Sequence, residues 1–588
     1  MTQSSQIAIQ MVMFSSSSCS LLDRFCLFFC FSVIGLTQSP LQADDNDSKL
    51  TQDLLFDQSK LLDIQIEIDA AEWASLCGQS RSFAEGLSED RKNAPPAKPF
   101  TYFKGNIIIN GVRFDSVGLR KKGFLGSLDS VRPSLKVKFN KYVPGGKLAG
   151  LNRLTLNNNK QDGMVVSQYL SYKVFEAAGV PSPRCSFAKV SVNGESLGVY
   201  SHVESVGTEF LERRYGNSSG NLYEGTLVDF TEDWVNGFET KTKSTSEERT
   251  DLSSLAAVLK EESEDILQKL ESVFDVDAFL TFWATESLIG FWDGYANNQN
   301  NFFVYNDGNQ AKFHFIPWGT DSAFTTTSLF GGGGPQSVKA KAIIPNRIYR
   351  TKPGKKLYLQ KLHTVLKETW KEDELLADID RIEELIKNEL HDSQSGFHSA
   401  LEKTRKFIRD RRESLMEETK DGPVAWEDPP GKPIYFKNLG KLTATFSGKW
   451  NSGSSIDYMN TGTAEITLTL DGQSIEFESA GSGAQINQFP GPGNGQPTIM
   501  IVGKRKSDGK RITITATAET TQFNAANSKP IPVQGALIEG MTFGFGGGGM
   551  KMVGGSAELD QAEMKPGAPV QGRLKLNIFE MNFGLGRK

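Results

Sequence analysis

From position 61 onward the chain alternates. Leu62, Ile64, Ile66 and Ile68 are separated by Asp63, Gln65 and Glu67, the two-residue period of a strand with one buried face. Asp69-Ala70-Ala71-Glu72-Trp73 then reads as a helix start. Beyond a polar, proline-bearing insertion at 93–98, apolar-rich stretches at 103–109 and 112–119 flank Asn110-Gly111 and predict a tight hairpin. Strands are expected at 135–139 and 151–156, followed by a helix over 165–178 that stops at Gly179. Two more strands, 187–192 and 198–203, flank Asn193-Gly194, and 208–215 reads as a short helix. The opening half is therefore expected to be a mixed sheet with a helix inserted.

The pattern then lengthens. Residues 252–273 carry the period of one amphipathic helix, and 276–291 is more uniformly apolar, which predicts a buried helix. Strands at 301–305 and 312–316 surround Asn306-Asp307-Gly308, and Gly331 to Gly334 reads as a flexible loop. Residues 355–420 are expected to be almost all helix, and 421–433, with four prolines, a linker. After that the character changes again. Strand patterns at 464–470, 511–518 and 573–578 are separated by Gly, Pro, Ser and Asn, which predicts an all-β, sandwich-like module. The run from Gly544 to Gly549 is a loop or bulge, because no Gly-Lys-Ser/Thr adjoins it to make a phosphate loop.

Composition adds a compartment. With 588 residues, 38% hydrophobic and 23% charged, the chain is long enough for several globular domains. A net charge of −5 gives no reason to expect nucleic acid as a partner. Arg24 precedes an apolar run at 26–36, and Leu41-Gln42-Ala43 stands before Asp44-Asp45. Those are the parts of an export signal, and the run is too short for a bilayer, which takes roughly 20 residues. The expected organisation is a signal at 1–43, a disordered linker at 44–60, a mixed domain at 61–420, a linker at 421–433 and a β module at 434–588. Secretion, the periplasm or the cell surface follows as the location, with no membrane-spanning segment once the signal is removed. Outside the signal only Cys77 and Cys185 remain, enough for one disulfide but equally for two buried thiols. The five histidines show no ligand spacing.

Candidate chemistry sits at the edges of the apolar runs. Arg120-Lys121-Lys122-Gly123 follows a predicted strand, and basic side chains beside glycine can surround phosphate oxygens; a solvated basic turn has the same composition. Lys136 and Lys138 share one strand face nearby. Asp293 follows the buried helix, and Asn298 stands five residues on, the Asp-x-x-x-x-Asn spacing of a kinase catalytic loop. Asn300 and Asn301 are alternatives, although such clusters also build turns. Asp321 lies just past the strand at 313–316. One acid to receive a proton, one amide and one acid to hold a metal are what phosphoryl transfer requires.

In that order these pieces resemble the spore coat protein H (CotH) kinase-like family. The matching stretches are Arg120-Lys121-Lys122-Gly123, Pro133 to Phe139, Leu156-Asn157-Asn158, Asn193 to Tyr200 with Glu204, Trp292 to Tyr295, Asn300-Asn301 and Pro317 to Phe324. The resemblance covers roughly 61–420 and implies an atypical protein-kinase fold, hence an α+β class, followed by the β module. It implies ATP with Mg2+ or Mn2+, and transfer of phosphate to serine or threonine of a secreted or surface protein. By the same resemblance Asp293 is the catalytic acid or base, Asn298 or Asn301 the metal amide and Asp321 the metal carboxylate. Arg120, Lys122, Gly123 and Lys136 hold the nucleotide phosphates, and Glu204 lies near the nucleotide hinge. One departure stands out: the family's Trp-Asp-x-Asp is Trp318-Gly319-Thr320-Asp321 here. Loss of that acid raises an alternative, a pseudokinase serving as a surface scaffold, with the β module docking on cell-wall or surface material. A hydrolase is the third class, and no nucleophile elbow supports it.

Overall fold

Seven strands of the first half close on themselves. They are β1 (Leu61–Glu67), β2 (Phe103–Ile109), β3 (Val112–Lys121), β4 (Leu135–Lys138), β5 (Arg153–Asn157), β6 (Cys185–Val192) and β7 (Glu195–Val203), in the order β1-β2-β3-β4-β5-β7-β6. Neighbours run antiparallel except β1 and β6, whose parallel pairing from Leu61 beside Phe187 shuts the ring. Alternation fills the interior with Ile64, Ile66, Ile107, Ile109, Val137 and Leu154. Both predicted hairpin turns have their Asn-Gly pairs at positive φ, 48° and 82° at Asn110-Gly111 and 51° and 88° at Asn193-Gly194, the geometry that matches strand twist.

This is a computed structural model, and it describes residues 50–124, 126–242, 249–308, 312–327, 334–450, 462–488, 494–524, 528–540 and 550–582. The expected signal at 1–43, Gly331 to Gly333 and the run Gly544 to Gly549 lie outside the described residues. Disorder is expected over 44–60, but from residue 50 the chain is folded. Helix Gln52–Leu55 is present, and Leu50, Leu55 and Phe56 belong to the barrel core. Three apolar side chains in a polar stretch are enough to anchor it.

A second, smaller sheet has the order β11-β10-β8-β9, from β8 (Asn221–Gly225), β9 (Glu239–Thr240), β10 (Phe302–Asn306) and β11 (Phe313–Pro317). Helices pack against it. Val276–Leu288 is buried along nearly its whole length, and Lys352–Thr369, Glu372–Ile386 and Phe397–Glu418 supply the helical mass predicted for 355–420. The single helix expected at 252–273 is two, Thr250–Leu259 and Ile266–Glu271. The intervening Lys260-Glu261-Glu262-Ser263-Glu264-Asp265 has no apolar residue to continue the buried stripe.

The C-terminal module is one nine-stranded antiparallel sheet, separate from the others. Its strands are β12 (Tyr435–Lys449), β13 (Thr463–Leu470), β14 (Gln473–Ile475), β15 (Phe477–Ile486), β16 (Pro497–Arg505), β17 (Arg511–Thr517), β18 (Pro530–Glu539), β19 (Met550–Ala562) and β20 (Pro569–Asn582). The order is β14-β13-β12-β20-β19-β18-β17-β16-β15, and the sheet curls until β15 lies against β12 and β13. Its two core-facing halves therefore belong to one curled sheet. The module docks on the mixed domain through a small cluster of Ala84, Leu87, Leu227, Phe436 and Phe579. Phe436 N donates to Leu87 O at 2.8 Å, and Gln522 Nε2 to Gly78 O at 2.6 Å.

The stretch 421–433 has no regular structure but is pinned. Trp426 joins the helical core, Tyr349 OH donates to Val424 O at 2.8 Å, and Gln299 Nε2 donates to Gly431 O at 2.7 Å. Cys77 and Cys185 are free thiols in different cores. Among the described residues no helix is long and apolar enough to cross a membrane.

Candidate functional site

A cleft of about 1020 Å³ opens between the barrel, the small sheet and the helices. Arg120, Lys122, Gly123, Lys136, Asp293, Asn298, Asn301 and Asp321 all line it. Glu204 does not. It is 3% exposed and sits between Arg184 (2.8 Å) and Arg213 (2.6 Å), beside a separate small hollow with Phe56 and His202. Glu204 is a buried, ion-paired carboxylate that also accepts from Arg184 N at 3.1 Å, and the residues after it, Ser205 and Val206, line the cleft.

The acidic side of the cleft begins at the exit of the buried helix. Helix Val276–Leu288 ends in a Schellman turn: Phe291 N bonds Glu286 O at 2.9 Å and Gly290 N bonds Ser287 O at 3.0 Å. Gly290 has φ +62°, and a Cβ there would lie 2.4 Å from Thr325 O, so glycine is required. Arg411, reaching from helix Phe397–Glu418, donates to Leu288 O and Ser287 O and caps the same end. The carboxylate of Glu286 accepts from Tyr295 N (2.8 Å) and Ala296 N (2.9 Å), fixing the start of the short helix Tyr295–Asn298.

Asp293 stands on this fixed turn, surrounded by amides. Asn298 Nδ2 and Asn300 Nδ2 donate to its Oδ1, the latter at 3.1 Å, and Asn301 Nδ2 donates to its Oδ2 at 2.8 Å. Desolvation pushes the Asp293 carboxyl up to about 6, against those three hydrogen bonds. Asp321 comes from the other side. Backbone pairing of Trp318 N with Asn301 O, at 3.1 Å, continues the β10–β11 ladder and brings the two loops together. Desolvation and then the charge of Asp293 raise Asp321 to about 7, while Lys122 opposes the shift.

The opposite wall is cationic. Lys122 Nζ donates to Asn157 Oδ1, and Asn157 Nδ2 donates to Gln168 Oε1 at 2.7 Å on helix Ser167–Ala177. Burial pushes Lys122 down to about 8. Lys136 is pushed down to about 7, by burial first and then by Arg153, Lys241, Lys122 and Arg120. Cations gathered in a desolvated cleft are held at a disadvantage that an anion would remove. Arg120 adds an orphan donor, a buried Nε without a partner.

Sequence reasoning missed several lining groups. Asp162 follows the noted Leu156-Asn157-Asn158 stretch, and only its position in the folded loop brings it to the cleft. Glu224 and Lys241 pair with each other on β8 and just after β9, and Lys241 also reaches Glu239 at 2.7 Å. Buried Asp229 accepts from Tyr295 OH, Gln299 Nε2 and Ile343 N, tying three segments behind the site.

The cleft thus sets an amide-wrapped acid on a turn after a buried helix, a second acid after a hairpin and a lysine-rich barrel wall around one space, and those residues fall within a match to a known family model. The model described as CotH kinase protein matches residues 116–415, just over half of the chain. This chain belongs to the CotH kinase family. Inner spore coat protein H of Bacillus subtilis (strain 168) is 28% identical over 192 residues, covering 30% of this chain and 51% of that protein. The chain thus spans about half the length of that curated relative. Among solved structures, the Helicobacter pylori proinflammatory kinase CtkA aligns over 50% of this chain and 92% of its own, at 13% identity and a TM-score of 0.27. HipA from the Shewanella oneidensis toxin–antitoxin complex with HipB and operator DNA aligns over 49% and 66%, at 10% identity and a TM-score of 0.25.

The residues of this CotH-family cleft fit a metal-bound nucleotide. Among the described residues no three His, Cys, Asp or Glu side chains gather to hold a metal alone. A cation here would take much of its shell from amide, phosphate and water oxygens, as Mg2+ does in kinase sites. Asp321 and the amide oxygens of Asn298 or Asn301 are available on one wall, and Arg120, Lys122 and Lys136 would meet phosphates on the other.

Proposed function

We propose that the chain is a CotH-type kinase that transfers the terminal phosphate of ATP to serine or threonine of a secreted or surface protein, with Mg2+ or Mn2+. The observation that carries this reading is Asp293, a carboxylate held by Asn298, Asn300 and Asn301 and opening onto the same cleft as Lys122, Lys136 and Asp321. A base whose pKa is drawn up to about 6 is ionised at neutral pH yet takes a proton readily. In this reading Asp293 accepts the proton of the incoming hydroxyl through the oxygen edge not occupied by the amides. The amides keep the carboxylate from rotating. Arg120, Lys122 and Lys136 orient the phosphate chain and disperse its charge, and Asn157 with Gln168 holds Lys122 in place. The metal, when bound, neutralises charge developing between the phosphates.

Export follows from the signal-like residues 1–43, and surface or coat association is consistent with the spore coat protein relative. The C-terminal sheet, on this reading, both braces the domain and offers its outer face to a surface partner.

A second reading is favoured by Gly319 specifically: a family member without that acid can serve as a nucleotide-binding or empty scaffold. Thermal stability with ATP and Mg2+ or Mn2+, followed by transfer from γ-labelled ATP, separates the two. Ligand at 100 times its dissociation constant adds about 2.7 kcal/mol. A shift with transfer that Asp293→Ala abolishes supports the kinase. A shift without transfer supports the scaffold, and no shift under any metal removes nucleotide binding altogether.

A further inference from the structure

The loop leaving β5 carries an acid with one oxygen short of a full hydrogen bond. Asp162 is 1% exposed, and its Oδ2 accepts from Ser167 N at 2.9 Å at the start of helix Ser167–Ala177. Its Oδ1 is sealed from solvent and meets no donor at full hydrogen-bond geometry, although the Met164 and Val165 N–H groups also act on the carboxylate. A buried carboxylate oxygen without a well-formed hydrogen bond is costly and uncommon. Asp162 lines the same cleft as Asp321, whose negative charge acts directly on it. The two lysines nearby in sequence or space are otherwise engaged, Lys160 with Asp129 at 3.0 Å and Lys122 with Asn157.

The backbone around Asp162 is held in place. Asn159 and Val165 have φ +55° and +65°, and Val165 is β-branched, a residue type that rarely tolerates that region. Ser201 Oγ fastens both ends, donating to Asn159 Oδ1 at 2.9 Å and to Val165 O at 3.4 Å. Asp162 and Asp321 thus line one cleft, and the charge of Asp321 is felt at Asp162. Gly319, which stands in place of the family's first acid, lines that cleft too.

We propose that Asp162 and Asp321 together hold one divalent cation in the nucleotide cleft, so that Asp162 supplies the carboxylate that Gly319 does not. This rests on the kinase-like reading of the cleft. One or two carboxylates with phosphate and water oxygens form an ordinary shell for Mg2+ or Mn2+. Oδ1 of Asp162 supplies the ligand atom, and the cation removes the repulsion between the two acids.

The test is Mn2+ binding by electron paramagnetic resonance with a non-hydrolysable ATP analogue, together with the melting temperature of the metal-free protein. Asp162→Asn keeps an oxygen for Ser167 N and removes the charge. It should weaken Mn2+ at least about ten-fold, erase the metal-induced rise in melting temperature and raise the metal-free melting temperature. An acid that merely caps the helix gives the reverse, a lower metal-free melting temperature with Mn2+ affinity unchanged, and that result overturns the proposal. A second measurement needs no variant. Fe2+ substituted for the cation in the wild-type chain, with ascorbate and peroxide, should cut the backbone near both Asp162 and Asp321. Cuts near Asp321 alone overturn the proposal while leaving the kinase reading intact. Wild-type protein that takes up neither Mn2+ nor nucleotide defeats both.

Discussion

Substituting Gly319 tests whether backbone geometry, rather than the mere absence of an acid, decides that position. Gly319 has φ +54°, and a Cβ built there would lie 2.7 Å from Asn301 Oδ1 and 3.1 Å from its Cγ. Gly319→Ala therefore meets two penalties. The left-handed conformation costs about 1 kcal/mol for a residue with a Cβ. Asn301 must also move, which loosens its 2.8 Å hydrogen bond to the Asp293 carboxylate, worth about 1.5–3 kcal/mol for a charged acceptor. Together the loss is about 2–4 kcal/mol, on the order of 5–10 °C in melting temperature. Gly319→Asp carries the same penalties and adds a charge to a corner that already holds Asp293 and Asp321. It should be less stable than Gly319→Ala without metal, and restoring the family's acid should not by itself raise activity. Differential scanning calorimetry of both variants, with and without Mn2+, measures this. If Gly319→Ala is within about 0.5 kcal/mol of wild type, the size of ordinary surface changes, the steric argument is wrong.

The pH dependence has a worked sign. Asp293 and Asp321 have folded pKa values raised from 3.8 to about 6 and about 7, so the stability they lend is complete below about pH 4 and is lost as pH rises through those values. Lys136 and Lys122 are depressed to about 7 and about 8, so their contribution is lost as pH falls through that range and returns above it. Melting temperature of the metal-free protein should therefore fall between about pH 4 and 7 and rise again above about pH 8, toward the ordinary lysine value of 10.5, and a polyphosphate with Mn2+ should flatten the curve; a rise from 4 to 7 would contradict the assignment. Glu204→Gln should destabilise by about 3 kcal/mol, because Arg184 and Arg213 lose a buried partner, while nucleotide affinity measured by calorimetry stays unchanged. Phe436→Ala should remove about 3 kcal/mol from the docking of the C-terminal sheet, and limited proteolysis should then cut within 421–433 faster than in wild type.

Local pattern made much of this protein legible from sequence. Alternation at 62–68, the Asn-Gly pairs and the apolar run after Val276 each fix a local structure through period and turn chemistry, which neighbouring residues decide by themselves. The order of Asp293, the asparagines and Asp321 likewise carried the candidate site, because catalytic groups at strand and helix ends are announced by where the apolar runs stop. Closure was not announced. Nothing in β1 or β6 says that they pair in parallel, since their partners lie more than a hundred residues apart. Glu204 could not be separated from cleft residues by spacing, because its fate depended on Arg184 and Arg213 arriving from other elements. Asp162 was invisible for the same reason: its significance is a buried oxygen short of donors in the cleft that Asp321 also lines, a fact of burial and proximity. Sequence thus set the elements and the chemical alphabet of the cleft. Only folding decided which charges would be desolvated together, because desolvation depends on what packs around a group and not on what precedes it.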